Sequence, residues 1–196
     1  MCLLIETIKI KNGEPLSLEY HQKRLEASYK AVVGKGKAMV LADIINCPEK
    51  FKSGIVKCRI IYGFNLLKIE FEPYVLRNIK TLKIIKNDNI SYDHKYADRS
   101  EINELYQQKG RCDDILIVKN NFITDTSFSN VVLYDGLRWI TPANPLLKGT
   151  MRQRLIDDKI IVEDDIDIIH LKYFKKIALI NAMVEFKHEQ SIKIFN

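Results

Sequence analysis

The chain has 196 residues, 46% hydrophobic and 29% charged, with 31 basic against 25 acidic side chains for a net charge of +6. That balance excludes a disordered or fibrous chain and leaves room for one generous domain or two small ones. The apolar runs, Ile177-Ala178-Leu179-Ile180 among them, fall far short of the roughly 20 residues a membrane helix needs.

In chain order, Leu3 to Lys11 alternates like a strand, and Asn12-Gly13 is a strong two-residue hairpin signal. Ser17 is placed to cap a helix in which Leu18, His21, Leu25, Tyr29 and Val32 recur at helical spacing, with Gly34 closing it. Ala38 to Ile45 predicts a second helix, stopped before Pro48. Gly54–Tyr62 and Leu66–Phe71 predict a hairpin around Gly63-Phe64-Asn65, and Ile79–Ile85 another strand. The polar break Lys86-Asn87-Asp88-Asn89 sets the expected domain boundary, giving residues 1–88 and 89–196.

Beyond it, Ser100–Gln108 predicts a short helix followed by Gly110. Asp114–Val118 and Phe122–Thr124 flank Asn120-Asn121, and Ser129–Tyr134 and Leu137–Ile140 flank Asp135-Gly136, two further hairpins. Thr150–Asp157 predicts a helix reached through Gly149, Asp165–Phe174 a partly helical stretch, and Ile177–Ala182 a strand. Hairpins alternating with isolated helices argue for an α+β fold, not a doubly wound sheet.

Generic chemistry motifs are mostly missing. Gly34-Lys35-Gly36-Lys37 lacks the full spacing of a phosphate loop and reads as the end of a helix. His21, His94, His170 and His188 are scattered, and Cys2, Cys47, Cys58 and Cys112 have no metal-ligand spacing. No metal site is expected. The start Met1-Cys2-Leu3-Leu4-Ile5-Glu6 has no basic leader pattern, so the cysteines are expected as reduced, buried thiols of a cytoplasmic protein. The positive charge is dispersed, which points away from nucleic acid and is compatible with small anionic ligands.

Three local features are unusual for plain structure. Gly149-Thr150-Met151-Arg152-Gln153 opens a helix whose first turn suits a phosphate. Asp125 ends a strand among hydroxyl residues, Thr124 to Asn130, and Lys95 lies among aromatic and polar residues. Taken alone, each also reads as an ordinary helix start, a turn aspartate and a surface lysine.

Together they resemble the class IV aminotransferases, the pyridoxal-phosphate enzymes of fold type IV. Four segments in order carry the resemblance: His21-x-x-Arg24-Leu25-x-x-Ser28, Lys95-Tyr96-Ala97-Asp98-Arg99, Asp125 through Asn130, and Thr141-Pro142 followed by Leu146 to Arg152. The resemblance implies a two-domain fold, a small α/β N-terminal domain and a β-barrel-like C-terminal domain carrying the cofactor lysine. It implies pyridoxal 5′-phosphate bound covalently to Lys95, which then serves as the proton-shuttling base. Asp125 would face the pyridine nitrogen and keep it protonated. Arg24 and the backbone of Gly149, Thr150 and Met151 would hold the phosphate. It also implies a homodimer.

This chain departs from the pattern in three places. Asp125 stands where the family has glutamate, Thr150-Met151 where it has Ile-Thr, and the N-terminal half is short. Within the family, Gly149 to Gln153, Lys95-x-x-Asp98-Arg99 and Ile180-Asn181-Ala182-Met183 resemble 4-amino-4-deoxychorismate lyase, which eliminates pyruvate to leave 4-aminobenzoate for folate synthesis. Its dicarboxylate substrate makes Arg59 a candidate clamp, against the equal alternative of an exposed strand residue. The runner-up is an aminotransferase for D-amino or branched-chain amino acids. A non-catalytic dimeric binding module is the third reading.

Overall fold

The computed structural model describes residues 2–34, 36–186 and 192–195. His188, and Lys35 of the helix-ending loop, lie outside them. Contacts divide the chain into two units: one runs to Leu76 and takes back His94–Asp98, the other holds Arg77–Asp93 and everything from Arg99 on.

The first unit is a four-stranded antiparallel sheet under one helix. Strand β1 (Leu4–Lys11) turns through Asn12 and Gly13, at φ 52° and 89°, into the two-residue return strand β2 (Glu14–Pro15). Those positive φ values are what a tight hairpin turn demands, and they explain the Asn-Gly pair. Strands β3 (Ile55–Tyr62) and β4 (Leu66–Pro73) form the expected hairpin, and the sheet order is β2-β1-β3-β4. Alternation on β3 buries Val56, Cys58, Ile60 and Tyr62, which pack with Leu4, Ile8 and Ile10 of β1. Helix α1 (Leu18–Val32) lays Leu25 and Tyr29 on that face. Burying each such side chain is worth about 1.5–3 kcal/mol.

Two helix expectations are revised. Ser17 does stand at the N-cap, but in the left-handed region at φ 54°, and its side chain makes no cap bond. Its carbonyl accepts from Tyr20 and His21 instead. The expected helix over 38–45 shrinks to α2 (Leu41–Ile44). Gln22 on α1 explains this: its amide donates to the Met39 carbonyl and its Oε1 accepts from the Leu41 N–H. That grip leaves Val40 extended and starts the helix only at Leu41.

The second unit carries β5 (Thr81–Lys86), α3 (Ser100–Gln107), β6 (Asp114–Lys119), β7 (Phe122–Thr126), β8 (Asn130–Tyr134), β9 (Trp139–Pro142), α4 (Thr150–Asp157), β10 (Ile161–Asp164), β11 (Lys176–Ile180) and β12 (Lys193–Phe195). The eight-stranded sheet runs β10-β9-β8-β7-β6-β5-β12, with β11 paired to β8. Its core is Leu82, Leu116, Val118, Ile123, Val131, Leu133, Ile177 and Leu179. Asn120 and Asn121, at φ 51° and 66°, make the β6–β7 turn.

The α+β expectation holds for the hairpins, yet β5 pairs parallel with β6 and β9 with β10. Helices α3 and α4 span those two connections. Strands β10 and β12 were not expected. Each is only three or four residues long, too short for a periodic signal.

The boundary also moves from 88/89 to 76/77. Strand β5 pairs with β6 and so belongs to the second unit. Lys95, expected on the second domain, sits in the first. Its carbonyl accepts from the Ile5 N–H, Ala97 N–H donates to Leu3, and Tyr96 bridges Leu4, so the segment zips onto β1. All four cysteines are free, but only Cys58 is buried; Cys2 is exposed, and Cys47 and Cys112 are intermediate.

Candidate active site

In the first unit, the chemistry gathers where α1 crosses β1. Glu6 points from β1 into the core at 0% exposure. Arg24 meets it with two nitrogens, Nε to Oε1 at 2.9 Å and Nη2 to Oε2 at 2.6 Å. The buried His21 lies on the same carboxylate, Nδ1 to Oε2 at 2.6 Å. Burial resists the Glu6 charge, but Arg24 and the His21 hydrogen bond outweigh it and hold the carboxyl down at about 2. His21 is pushed below its usual range, first by burial, with the Arg24 and Lys95 charges adding to that. It is therefore a neutral ring donating its Nδ1–H to Glu6. The Lys95 charge thus acts on this same cluster. Ser28, one turn on, meets His94 Nδ1 at 3.2 Å.

The helical motif from His21 to Ser28 was legible in the sequence, but its buried counterion was not assigned a role. Glu6 is the residue the sequence reading missed. Its signal was an acid in the alternating row Leu4, Glu6, Ile8, Ile10 of β1, whose other members are apolar.

In the second unit, Asp125 ends β7 and is paired across the ladder with Asn130, the first residue of β8. Asp125 is 5% exposed. Asn130 Nδ2 donates to its Oδ1 at 2.7 Å, and the Leu147 N–H to its Oδ2 at 2.9 Å. Burial dominates and lifts the carboxyl to about 7, with the Leu147 and Asn130 bonds and the Arg152 charge pulling the other way.

The loop between Asp125 and Asn130 is tied down on both flanks. Arg99 donates to the Ser127 carbonyl, and Asn181 donates to Ser129 Oγ at 2.9 Å. Below it, α4 starts at an extended Gly149, with no side-chain cap and no acid in its first turn. Arg152, 1% exposed, reaches back to the Pro142 carbonyl at 2.8 Å and to Glu163 at 2.5 Å.

Arg59 lies on the β3 face opposite the buried row, paired across the ladder with Thr7 and Glu70. Its guanidinium is 3.8 Å from Glu70, with both side chains partly exposed. It is not part of the Glu6 cluster.

The donor set suits pyridoxal phosphate. A carboxylate has about four acceptor positions, and Asp125 accepts from the Asn130 amide and from the Leu147 and Leu146 backbone, so it can take a further donor such as a ring N–H. The start of α4 has no side-chain cap and no acid in its first turn, which suits an anion at the helix N-terminus. Lys95, on the first unit, carries an amine. Among the described residues no group of metal-ligating side chains is assembled, and no helix is long and apolar enough to cross a membrane.

The family model for amino-transferase class IV matches residues 72–187. The chain belongs to the class IV aminotransferases. A Haemophilus influenzae protein, itself uncharacterised, is 36% identical over 92% of this chain and 97% of its own length. A crystal structure of a candidate 4-amino-4-deoxychorismate lyase from Haemophilus somnus has a TM-score of 0.86 and 35% identity, covering 93% of this chain and 97% of that one. A Schizosaccharomyces pombe protein named as a candidate aminodeoxychorismate lyase is 32% identical over 68% of this chain and 61% of its own. The PLP-bound form of a hypothetical aminotransferase from Mycobacterium tuberculosis shares the fold at a TM-score of 0.72 and 15% identity, covering 92% of this chain and 78% of that one. Class IV membership makes this chain a pyridoxal-phosphate-dependent enzyme, lyase or aminotransferase.

Proposed function

We propose that this class IV enzyme is a lyase of the 4-amino-4-deoxychorismate type, removing pyruvate to leave 4-aminobenzoate. One observation carries the reading. The chain is 35% identical to the H. somnus candidate lyase over 97% of that chain, whereas a candidate amino-acid aminotransferase from Mesorhizobium loti matches at 21%, a level that speaks to fold alone. The Gly149 to Gln153 segment supports the same branch.

Bound pyridoxal phosphate supplies an electron-accepting ring for carbanion chemistry at the substrate. This chain's residues do the rest. Lys95 Nζ holds the cofactor and then moves the proton. The Asp125 carboxylate stabilises a cationic ring nitrogen, which in turn draws its own high pKa down. Arg24, and the α4 start at Gly149, Thr150 and Met151, bind the phosphate. Arg59 takes a substrate carboxylate. The same reading carries a homodimer working in the cytoplasm.

The test is to supply aminodeoxychorismate and assay 4-aminobenzoate and pyruvate. In parallel, amino-group transfer to 2-oxoglutarate is assayed from L- and D-amino acids. 4-Aminobenzoate with equimolar pyruvate is the expected result. Transfer from the amino-acid panel with no 4-aminobenzoate rejects the lyase reading.

A further inference from the structure

The geometry points to Asn130 as a positioning residue that locks the Asp125 carboxylate to the start of α4, and to Gly149 as the glycine that makes room for it. Gly149 is not there for backbone freedom. Its φ of −72° and ψ of 147° are open to any residue. What a side chain would meet decides the matter. A Cβ at Gly149 would stand 2.0 Å from Asn130 Oδ1 and 3.2 Å from its Cγ, with its next neighbour, Arg152 Cβ, at 3.9 Å. The space belongs to the asparagine.

Asn130 uses that closeness. Its Nδ2 donates both to Asp125 Oδ1 at 2.7 Å and to the Leu147 carbonyl at 2.8 Å. The Leu147 N–H closes the circuit on Asp125 Oδ2 at 2.9 Å. Asp125, Asn130 and the 147–149 approach to α4 are therefore one hydrogen-bonded piece. A strand-end carboxylate and a helix start that must serve the same cofactor gain from moving together, because small misplacements of reacting groups cost rate steeply. The functional consequence rests on the proposed role of Asp125 as partner of the ring nitrogen; the lock itself does not.

The lock also sets charge. The Asn130 amide favours the ionised carboxylate, as do the Leu147 N–H and the Arg152 guanidinium, while burial opposes it. Removing the amide leaves burial less opposed.

Two measurements on cofactor-free protein test this, so neither depends on which reaction the enzyme catalyses. The first is a thermal-melting cycle of Gly149→Ala, Asn130→Ala and the double variant. Gly149→Ala alone is expected to lower the melting temperature by about 5 °C. In the Asn130→Ala background, the same change should cost less than half as much. Additive losses would overturn the assignment of Gly149. The second is the titration midpoint of the Asp125 carboxyl, read by isotope-edited infrared or carbon NMR. In Asn130→Ala it should move up by roughly half a unit or more. A folded Asn130→Ala protein with an unmoved midpoint would overturn the positioning role. If Asn130→Ala does not fold, Asn130→Cys, smaller than asparagine and a far weaker donor, replaces it in both measurements under the same criteria.

Discussion

Arg24 grips Glu6 through two parallel contacts, Nε to Oε1 at 2.9 Å and Nη2 to Oε2 at 2.6 Å. The residue proposed to hold the cofactor phosphate is thus braced from β1 by a fully buried carboxylate. A guanidinium held in this fork presents a fixed direction, which suits recognition of a second anion. Glu6 without Arg24 would be an uncompensated buried charge, and breaking such a pair from one side costs about 3–5 kcal/mol. Arg24→Ala is therefore expected to cost more stability than Glu6→Gln, which keeps the shape and one acceptor oxygen and leaves no buried anion unpaired. Urea unfolding of the two variants decides it.

The same cluster sets an acid limit. Glu6 titrates near 4.5 unfolded and at about 2 folded. Its contribution is complete above about pH 4.5 and is lost as the pH falls towards 2, a loss of about 3 kcal/mol. His21, held neutral by burial, adds to the loss in acid, because its unfolded form takes up a proton more readily. Glu6→Gln should flatten the stability curve between pH 5 and pH 2, followed by chemical denaturation at fixed temperature.

Asp125 works in the opposite direction. Its folded pKa of about 7 exceeds the unfolded 3.8. The folded state therefore holds the proton more tightly, and stability falls as the pH rises from about 4 to 7, by about 4 kcal/mol. Asp114, also lifted by burial, has the same sign. Asp125→Asn should reduce this slope in the cofactor-free protein without abolishing it. Added pyridoxal phosphate should reduce it too, since a cationic ring nitrogen favours the ionised carboxylate. An unchanged slope in Asp125→Asn contradicts the assignment.

Lys95→Ala keeps the backbone bond that ties this segment to β1, because that bond uses the Lys95 carbonyl. It should abolish borohydride fixation of the cofactor, read by absorbance and by intact mass. Fixation that persists in the variant places the covalent bond on another lysine.

Arg59 separates stability from recognition. Its pairing with Glu70 is long, at 3.8 Å, and partly exposed, so Arg59→Ala should barely change the melting temperature. As a carboxylate clamp, its loss should raise KM about tenfold or more. A wild-type KM in the variant removes Arg59 from the substrate site.

Much of the fold was legible because it rests on local rules. The Asn12-Gly13 and Asn120-Asn121 turns announce themselves through residues that tolerate positive φ. Helices α1, α3 and α4 follow from spacing, and α4 starts and ends where expected. The ordered segments around Arg24, Lys95, Asp125 and Gly149 were enough to indicate the family.

Other features depend on partners far away in the chain, and no local pattern carries them. Strands as short as β10 and β12 exist only because a neighbouring strand supplies their hydrogen bonds. Helix α2 is cut short by Gln22, 19 positions away from the Leu41 N–H that it accepts. Lys95 joins the first unit because its backbone pairs with β1. The sequence by itself determined the turns and the main helices, since these follow from residue type and spacing; its resemblance to the family named the candidates to hold a phosphate, face a ring nitrogen and supply an amine. Only the tertiary structure decided that Glu6 neutralises Arg24, and that Gly149 is a glycine for the sake of Asn130. Burial and steric contact between distant segments are properties of the packed chain.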